Sequence, residues 1–248
     1  MGLLEQARQK LIHLCDDRKL GETLRLQVTS LSPNEAIGAR ASSDFAIKKG
    51  KERVIEATFE GARGQAFTDR PSRWAGTLSE AMSVDFTEVG NRAIFVAAMN
   101  AVMRFLGAAT GTIHCLDEDP SLCGPEIARS LEARFGRKKF GLIGLQPAIL
   151  QGLAQHFGTE AVRVIDLNPD SIGKSKSGVE VRDGETELPR LIEWSDVGLA
   201  TGSSIVNGTA GEIERSFREA GKPLLFFGNT ISGAAVLLRL ERVCPFGR

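Results

Sequence analysis

From Lys139 to the end of the chain, short apolar runs alternate with glycine-containing loops and helical patterns, and this rhythm restricts the fold more than any other feature. KFGLIGLQPAILQGLAQHFG holds an apolar run to Ile143, a turn at Gly144, and Pro147 at the first position of a helix reaching about Phe157. AVRVIDLNPD supplies a second strand ending at Asp166, and DVGLATGSSIVNGTAGEIERSFREAG a third, with Thr209 and Glu212 spaced to cap the helix that follows. KPLLFFGNTISGAAVLLRL supplies a fourth strand and another helix. Strands separated by helices pair in parallel through right-handed crossovers, which predicts a doubly wound parallel sheet and an α/β fold.

The amino-terminal part has a different pattern. Leu3, Leu4, Ala7, Leu11, Leu14 and Cys15 recur at helical spacing. Leu24, Leu26 and Val28 then alternate with polar residues, as in a half-buried strand. Ile55, Ala57 and Phe59 alternate in the same way after the turn-like Lys48 to Lys51, predicting a hairpin with the Asp44 to Ile47 segment. GARGQAFTDRPSRWAG reads as a loop carrying Arg63, Arg70 and Arg73, a group that is either a solvated surface or a clamp for carboxylate or phosphate. Thr77 and Glu80 have capping-box spacing, and a longer helix runs from Val89 to about Leu106. Asn100 falls on the apolar stripe of that helix, where it needs either a neighbouring backbone partner or a ligand. The change of pattern divides the chain into an α+β domain, 1–137, and a doubly wound domain, 138–248.

Composition narrows the function. Thirty-one basic residues balance thirty-one acidic ones, so the chain has no general attraction for nucleic acid or an anionic membrane. With no tyrosine, any proton transfer falls to carboxylate, histidine, thiol or water. The charged first twenty residues lack an apolar signal core, and the longest uncharged stretches are broken by Gly or Pro; a cytoplasmic protein without membrane spans is expected. Four scattered cysteines without a CxxC pair point to free thiols or a metal role.

Ligands of open parallel sheets bind at the carboxyl ends of the strands. That places Gly144 to Pro147, with Gln146, and Asp166 to Asp170, Thr201 to Thr209 and Gly228 to Ser232 around one site. Asp166 follows Gly144 by 22 residues, the separation at which an acid reaches a ribose in nucleotide folds, although it equally suits capping a strand end. Gln146 and Ile149 stand where the dinucleotide fingerprint needs glycine, which disfavours ordinary NAD binding. Thr201, Gly202, Ser203, Asn207, Gly208 and Thr209 make a polar loop suited to an anion or polar heterocycle, while Asn207-Gly208 is also a favourable turn. Asp166 is the carboxylate near the strand ends best placed in the sequence to act as a general base. In TIHCLDEDPSLCGPEI, His114, Cys115 and Cys123 are candidate transition-metal ligands, although the cysteine spacing matches no common zinc motif. Cys123 precedes an expected helix start at Pro125, whose positive end would lower its pKa if the thiol is exposed. His13 and His156 read as surface or packing residues.

The stretches AMNAVM around Asn100, GLIGLQPA from Gly141 to Ala148 and TGSSIVNGT from Thr201 to Thr209, taken in order, resemble the DUF364 family, described as a "putative heavy-metal chelation" domain, with its DUF4213 companion segment. The resemblance implies an enolase amino-terminal-like α+β domain followed by a Rossmann-like domain, a cleft between them, and Asn100 directed at the junction. It also implies condensation or hydrolysis of flavin-, pterin- or siderophore-like molecules, or heavy-metal chelation, and a partial likeness to Rossmann-like methyltransferases. Three functions follow as expectations. The first is an enzyme acting on a small anionic or heterocyclic metabolite. The second is a non-catalytic metal-binding or delivery protein using His114, Cys115, Cys123 and Cys244. The third is a nucleotide- or S-adenosylmethionine-dependent transferase. The partner in each case is a small molecule or metal ion, in a chain that is free to form a homo-oligomer.

Overall fold

The structure, a computed structural model, describes residues 2–21, 23–41, 45, 47–48 and 52–248. Its first half comprises α1 (Leu3–Asp17), β1 (Arg25–Leu31), α2 (Pro33–Ile37), β2 (Arg53–Phe59), β3 (Ala62–Thr68), β4 (Trp74–Thr77), α3 (Leu78–Met82) and α4 (Val89–Phe105). The strands form an antiparallel sheet in the order β3-β2-β1-β4. The alternation read at Ile55 to Phe59 is strand β2, but its neighbours are β1 and β3. Asp44, Ala46 and residues 49–51 of the expected hairpin lie outside the described residues.

The presumed arginine loop is mostly sheet, which corrects the sequence reading. Gly64 suggests a loop, yet it is there because α4 crosses β3 at close range: a Cβ on Gly64 would stand 2.2 Å from Ala101 N and 2.6 Å from Ala97 O. Arg63 projects from β3 and pairs with Glu56 through two bonds of 2.8 and 2.7 Å. At α3 the capping box forms as its spacing predicts, with Thr77 Oγ1 accepting from Glu80 N–H at 3.2 Å and Glu80 Oε2 accepting from Thr77 N–H at 2.8 Å.

The second half comprises α5 (Asp119–Phe135), β5 (Phe140–Ile143), α6 (Pro147–Phe157), β6 (Val162–Asp166), β7 (Ser175–Lys176), β8 (Val179–Asp183), α7 (Gly184–Trp194), β9 (Val197–Thr201), α8 (Ser204–Asn207), α9 (Ala210–Glu219), β10 (Leu224–Phe227), α10 (Ser232–Leu238) and β11 (Arg242–Val243). Its sheet runs β11-β10-β9-β5-β6-β8-β7, parallel except for the edge strand β7. The chain winds outward in both directions from β5, so the order reverses between β5 and β9, where a doubly wound sheet opens a crevice. Sequence reading missed β8 and α7, because VEVRDGETELPRLIEW is charged and has only short apolar stretches.

Two readings of helix ends are corrected. Helix α5 starts at Asp119 and carries Pro125 inside it, so Cys123 sits within the helix rather than before its positive end. Thr209 occupies the N-cap of α9 without a side-chain cap bond, because its backbone is already near-helical. Ile127, Ala128 and Leu131 of α5 pack with Phe140, Leu142 and Leu153, so the helix joins the core of the parallel sheet although it precedes residue 138.

The other face of the parallel sheet, through Ile143, Ile165, Ala200 and Phe226, shares one core with α1, α4 and the antiparallel sheet. Helix α4 is buried from Ala93 to Met103 and lies between the two halves. Mixed α/β architecture, with one antiparallel and one mainly parallel sheet, is therefore the fold. No helix among the described residues is long and apolar enough to cross a membrane.

Candidate functional site

A cleft of about 1540 Å3 opens at the carboxyl ends of β5, β6, β9 and β10 and is closed over by residues from the antiparallel half and from the segment joining α4 to α5. The strand-end loops converge there: Gly144, Gln146 and Pro147, Asp166, and Thr201, Ser203, Asn207 and Thr209 all line it. Gly202, Gly208 and Asn100 do not line it. Gly144 adopts a φ of +89°, and a Cβ there would lie 2.5 Å from Thr201 Cγ2, so the turn after β5 requires glycine on both counts. Gln146 caps α6, its Oε1 accepting from Ile149 N–H at 2.6 Å.

Asp166 is held by backbone. Its Oδ2 accepts from Leu145 N–H at 2.5 Å and its Oδ1 from Asn168 N–H at 2.7 Å, tying the loop after β5 to the loop after β6. Leu145 N–H is one of the amides that a phosphate would meet in a dinucleotide site, and here a carboxylate of the chain itself occupies it.

Asn100 is fully buried on α4 and joins the two halves. Its Nδ2 donates to Gln65 O at 2.9 Å and Thr230 O at 2.8 Å, and its Oδ1 accepts from Gly233 N–H at 2.7 Å. Its polar atoms are thus consumed by the chain behind the cleft. Gln65 extends this seam by donating from Nε2 to Glu56 at 2.8 Å and accepting His114 N–H at Oε1, also at 2.8 Å.

His114, Cys115 and Cys123 enter the same cleft, together with Cys244. His114 Nδ1 lies 2.6 Å from Cys115 O, and burial lowers the imidazole pKa. Burial raises both thiols, Cys123 to about 12, with neighbouring cysteines adding to the effect. The lowering expected for an exposed Cys123 at a helix end does not arise, because burial raises the thiol and α5 starts further upstream. Among the described residues, no three His, Cys, Asp or Glu side chains are placed to hold one metal ion.

Glu52 and Asp69 are among the cleft carboxylates to which sequence reading gave no role. Both line the cleft, and the register Arg53 to Thr68 between β2 and β3 sets them across from one another just beyond the strand ends. Burial, with the charges of Asp166 and Asp69, pushes the Glu52 carboxyl up to about 7. No local motif marks Glu52: it follows a lysine-rich turn and has the sequence context of a solvated residue. Of the arginine group, none lines the cleft.

A doubly wound sheet with its crevice at the switch between β5 and β9, roofed by a second α/β layer, defines a Rossmann-like cleft protein. Residues 129–238 match the model of the DUF364 family, described as "Putative heavy-metal chelation". Among solved structures, a DUF364-family protein of unknown function from Pyrococcus horikoshii is similar at 18% identity and a TM-score of 0.52, over 92% of this chain and 79% of that one. A second protein of unknown function from that family, from Desulfitobacterium hafniense DCB-2, is 14% identical over 75% of this chain and 71% of its own, with a TM-score of 0.48. The first likeness concerns the fold alone. No curated protein matches the chain.

Proposed function

We propose that this protein acts on a small polar, heterocyclic metabolite bound in the cleft, of the pterin, flavin or siderophore kind that the family resemblance suggests. The observation that carries this reading is the cleft itself. It is large enough for such a molecule, it sits at the switch point of the sheet, and four separate strand-end loops reach it. Gly144, Gln146, Thr201, Ser203, Asn207 and Thr209 form the floor against which the ligand rests. Asp166 positions that floor through its two backbone bonds, and Glu52, with a pKa near neutrality, is better suited to move a proton at the ligand. The amino-terminal half serves as the layer that covers the cleft, in the manner of an enolase amino-terminal-like segment.

A resident heavy-metal centre fits the donor set poorly. The His, Cys, Asp and Glu side chains among the described residues form no three-ligand group. The experiment is mass spectrometry of small molecules released from the purified protein, in parallel with elemental analysis. An organic compound that is retained at near-stoichiometric level by the native chain and lost in Thr201→Val/Asn207→Ala supports the reading. Stoichiometric heavy metal, lost when Cys115 and Cys123 are replaced by Ser and unaccompanied by an organic compound, overturns it.

A further inference from the structure

The contacts that fix His114 leave one of its ring nitrogens open. Its backbone N–H donates to Gln65 Oε1 at 2.8 Å, and Gln65 Nε2 donates at 2.8 Å to Glu56, which is itself held by Arg63. A carboxylate only accepts, so the Gln65 amide has one orientation, with its oxygen toward His114. Gln65 and Phe67 lie two apart on β3 and share a face of that strand. The His114 ring rests against Phe67, with centroids 5.2 Å apart and planes at 62°. Backbone and ring are thus both seated on β3.

His114 Nδ1 lies 2.6 Å from Cys115 O, with Cys115 Sγ 3.7 Å away. A carbonyl oxygen offers only lone pairs, so Nδ1 carries the hydrogen, and in a neutral ring Nε2 is then the acceptor. Burial, which lowers the imidazole pKa, keeps the ring neutral. Nε2 has no hydrogen-bond partner among the described residues. The unpartnered side-chain atoms that are sealed from solvent there are Ser72 Oγ, Ser195 Oγ and Asn229 Oδ1, so Nε2 keeps access to the cleft that the half-buried His114 lines. The wall around it is apolar: Phe67 packs with Ile37 and Ile47, and all three line the cleft. In such surroundings an acceptor left unpaired by a ligand costs more than it would in water.

Resting on the cleft being the ligand site, we propose that His114 Nε2 is the acceptor that selects a ligand carrying an N–H or O–H donor on the edge of an otherwise apolar, planar ring. Gln65 is the residue that positions it, and the Cys115 carbonyl sets its tautomer. His114 accepts the hydrogen bond and leaves proton transfer to Glu52.

Lumazine, a bicyclic heterocycle with ring N–H groups, and 1,3-dimethyllumazine, in which those groups are methylated, test the acceptor. In the full-length 15N-labelled protein at pH 7, long-range 1H–15N correlation spectra should show His114 protonated at Nδ1 and unprotonated at Nε2 before ligand is added. Lumazine at millimolar concentration should saturate and move the Nε2 resonance as a new hydrogen bond does. The dimethyl compound should bind about tenfold more weakly and leave Nε2 in place. His114→Ala should bring lumazine down to the affinity of the dimethyl compound, and His114→Gln, which returns an acceptor, should restore most of the difference. A ring protonated at Nε2 in the ligand-free native chain overturns the proposal, and that measurement stands even if His114→Ala does not fold. Equal saturation by both compounds with Nε2 unmoved also overturns it, while leaving the cleft as a ligand site. If neither compound moves any cleft resonance, the acceptor and the cleft reading fall together.

Discussion

Asp166 Oδ2 accepts Leu145 N–H at 2.5 Å, so the acid that ends β6 is spent on the turn that follows β5. In a dinucleotide fold the equivalent amide and acid both face the cofactor; here they face one another, and the floor of the cleft is tied shut by its own chain. That single bond separates this site from a nucleotide site more sharply than the glycine count of the loop does.

Asp166→Asn should loosen this floor and change the titration of its neighbour. An amide can accept from one of the two N–H groups but presents N–H to the other, so about 1–2 kcal/mol of stability should be lost. Removing the Asp166 charge should also bring the Glu52 pKa down from about 7. Urea denaturation reads the first effect and 13C-detected carboxyl titration the second; an unmoved Glu52 titration would show that burial and Asp69 set its pKa without Asp166.

Glu52 should make stability fall as pH rises. Its carboxyl has an ordinary value of 4.5 and is raised to about 7 in the fold, so the folded chain holds a proton that the unfolded chain has released between those values. The Glu52 contribution is therefore most favourable below pH 4.5 and is lost through pH 7. Asp69 and Asp166 face the group, with His114, Lys174 and Lys176 elsewhere on the cleft wall. Glu52→Gln should be more stable than the native chain at pH 8, by up to about 3 kcal/mol, with the gain vanishing near pH 4. Parallel urea midpoints across that range check the sign.

Asn100→Ala should strand Gln65 O, Thr230 O and Gly233 N–H inside the protein. About 3 kcal/mol of stability is expected to go, felt as weaker coupling of the antiparallel half to the α10 end of the parallel sheet. Chemical denaturation gives the loss, and amide exchange at Gly233 and Gln65 should speed up before the strands of the parallel sheet open.

Cys115 and Cys123 should resist alkylation in the native protein. Burial favours the protonated thiol at both, and Cys123 reaches about 12, so almost no thiolate exists at pH 7.5. Iodoacetamide labelling followed by peptide mass spectrometry should find both unmodified until denaturant is added. Rapid labelling of either in the folded chain would mean that the thiol wall of the cleft is open and ionised.

The repeating strand, loop and helix pattern after Lys139 was readable because each unit is local: a β-run, a turn glycine and an amphipathic helix need no distant partner to show their period. Four of the parallel strands, the Gly144 turn and the convergence of the strand-end loops follow from that, as does the fold class. The exceptions lie where long-range packing rewrites a local signal. Gly64 reads as loop until α4 is laid against it, and the arginine around it reads as an anion clamp until Glu56 is found across the strand. Cys123 reads as activated until α5 is seen to begin at Asp119. The placement of Glu52 across from Asp69, the charge of Asp166 felt by Glu52, and the unsatisfied Asn229 carbonyl join residues far apart along the chain. Hydropathy and spacing along the chain decide which segments become strands and helices. Charge repulsion, desolvation and hydrogen-bond satisfaction depend on distances through space, and only the tertiary structure decided those.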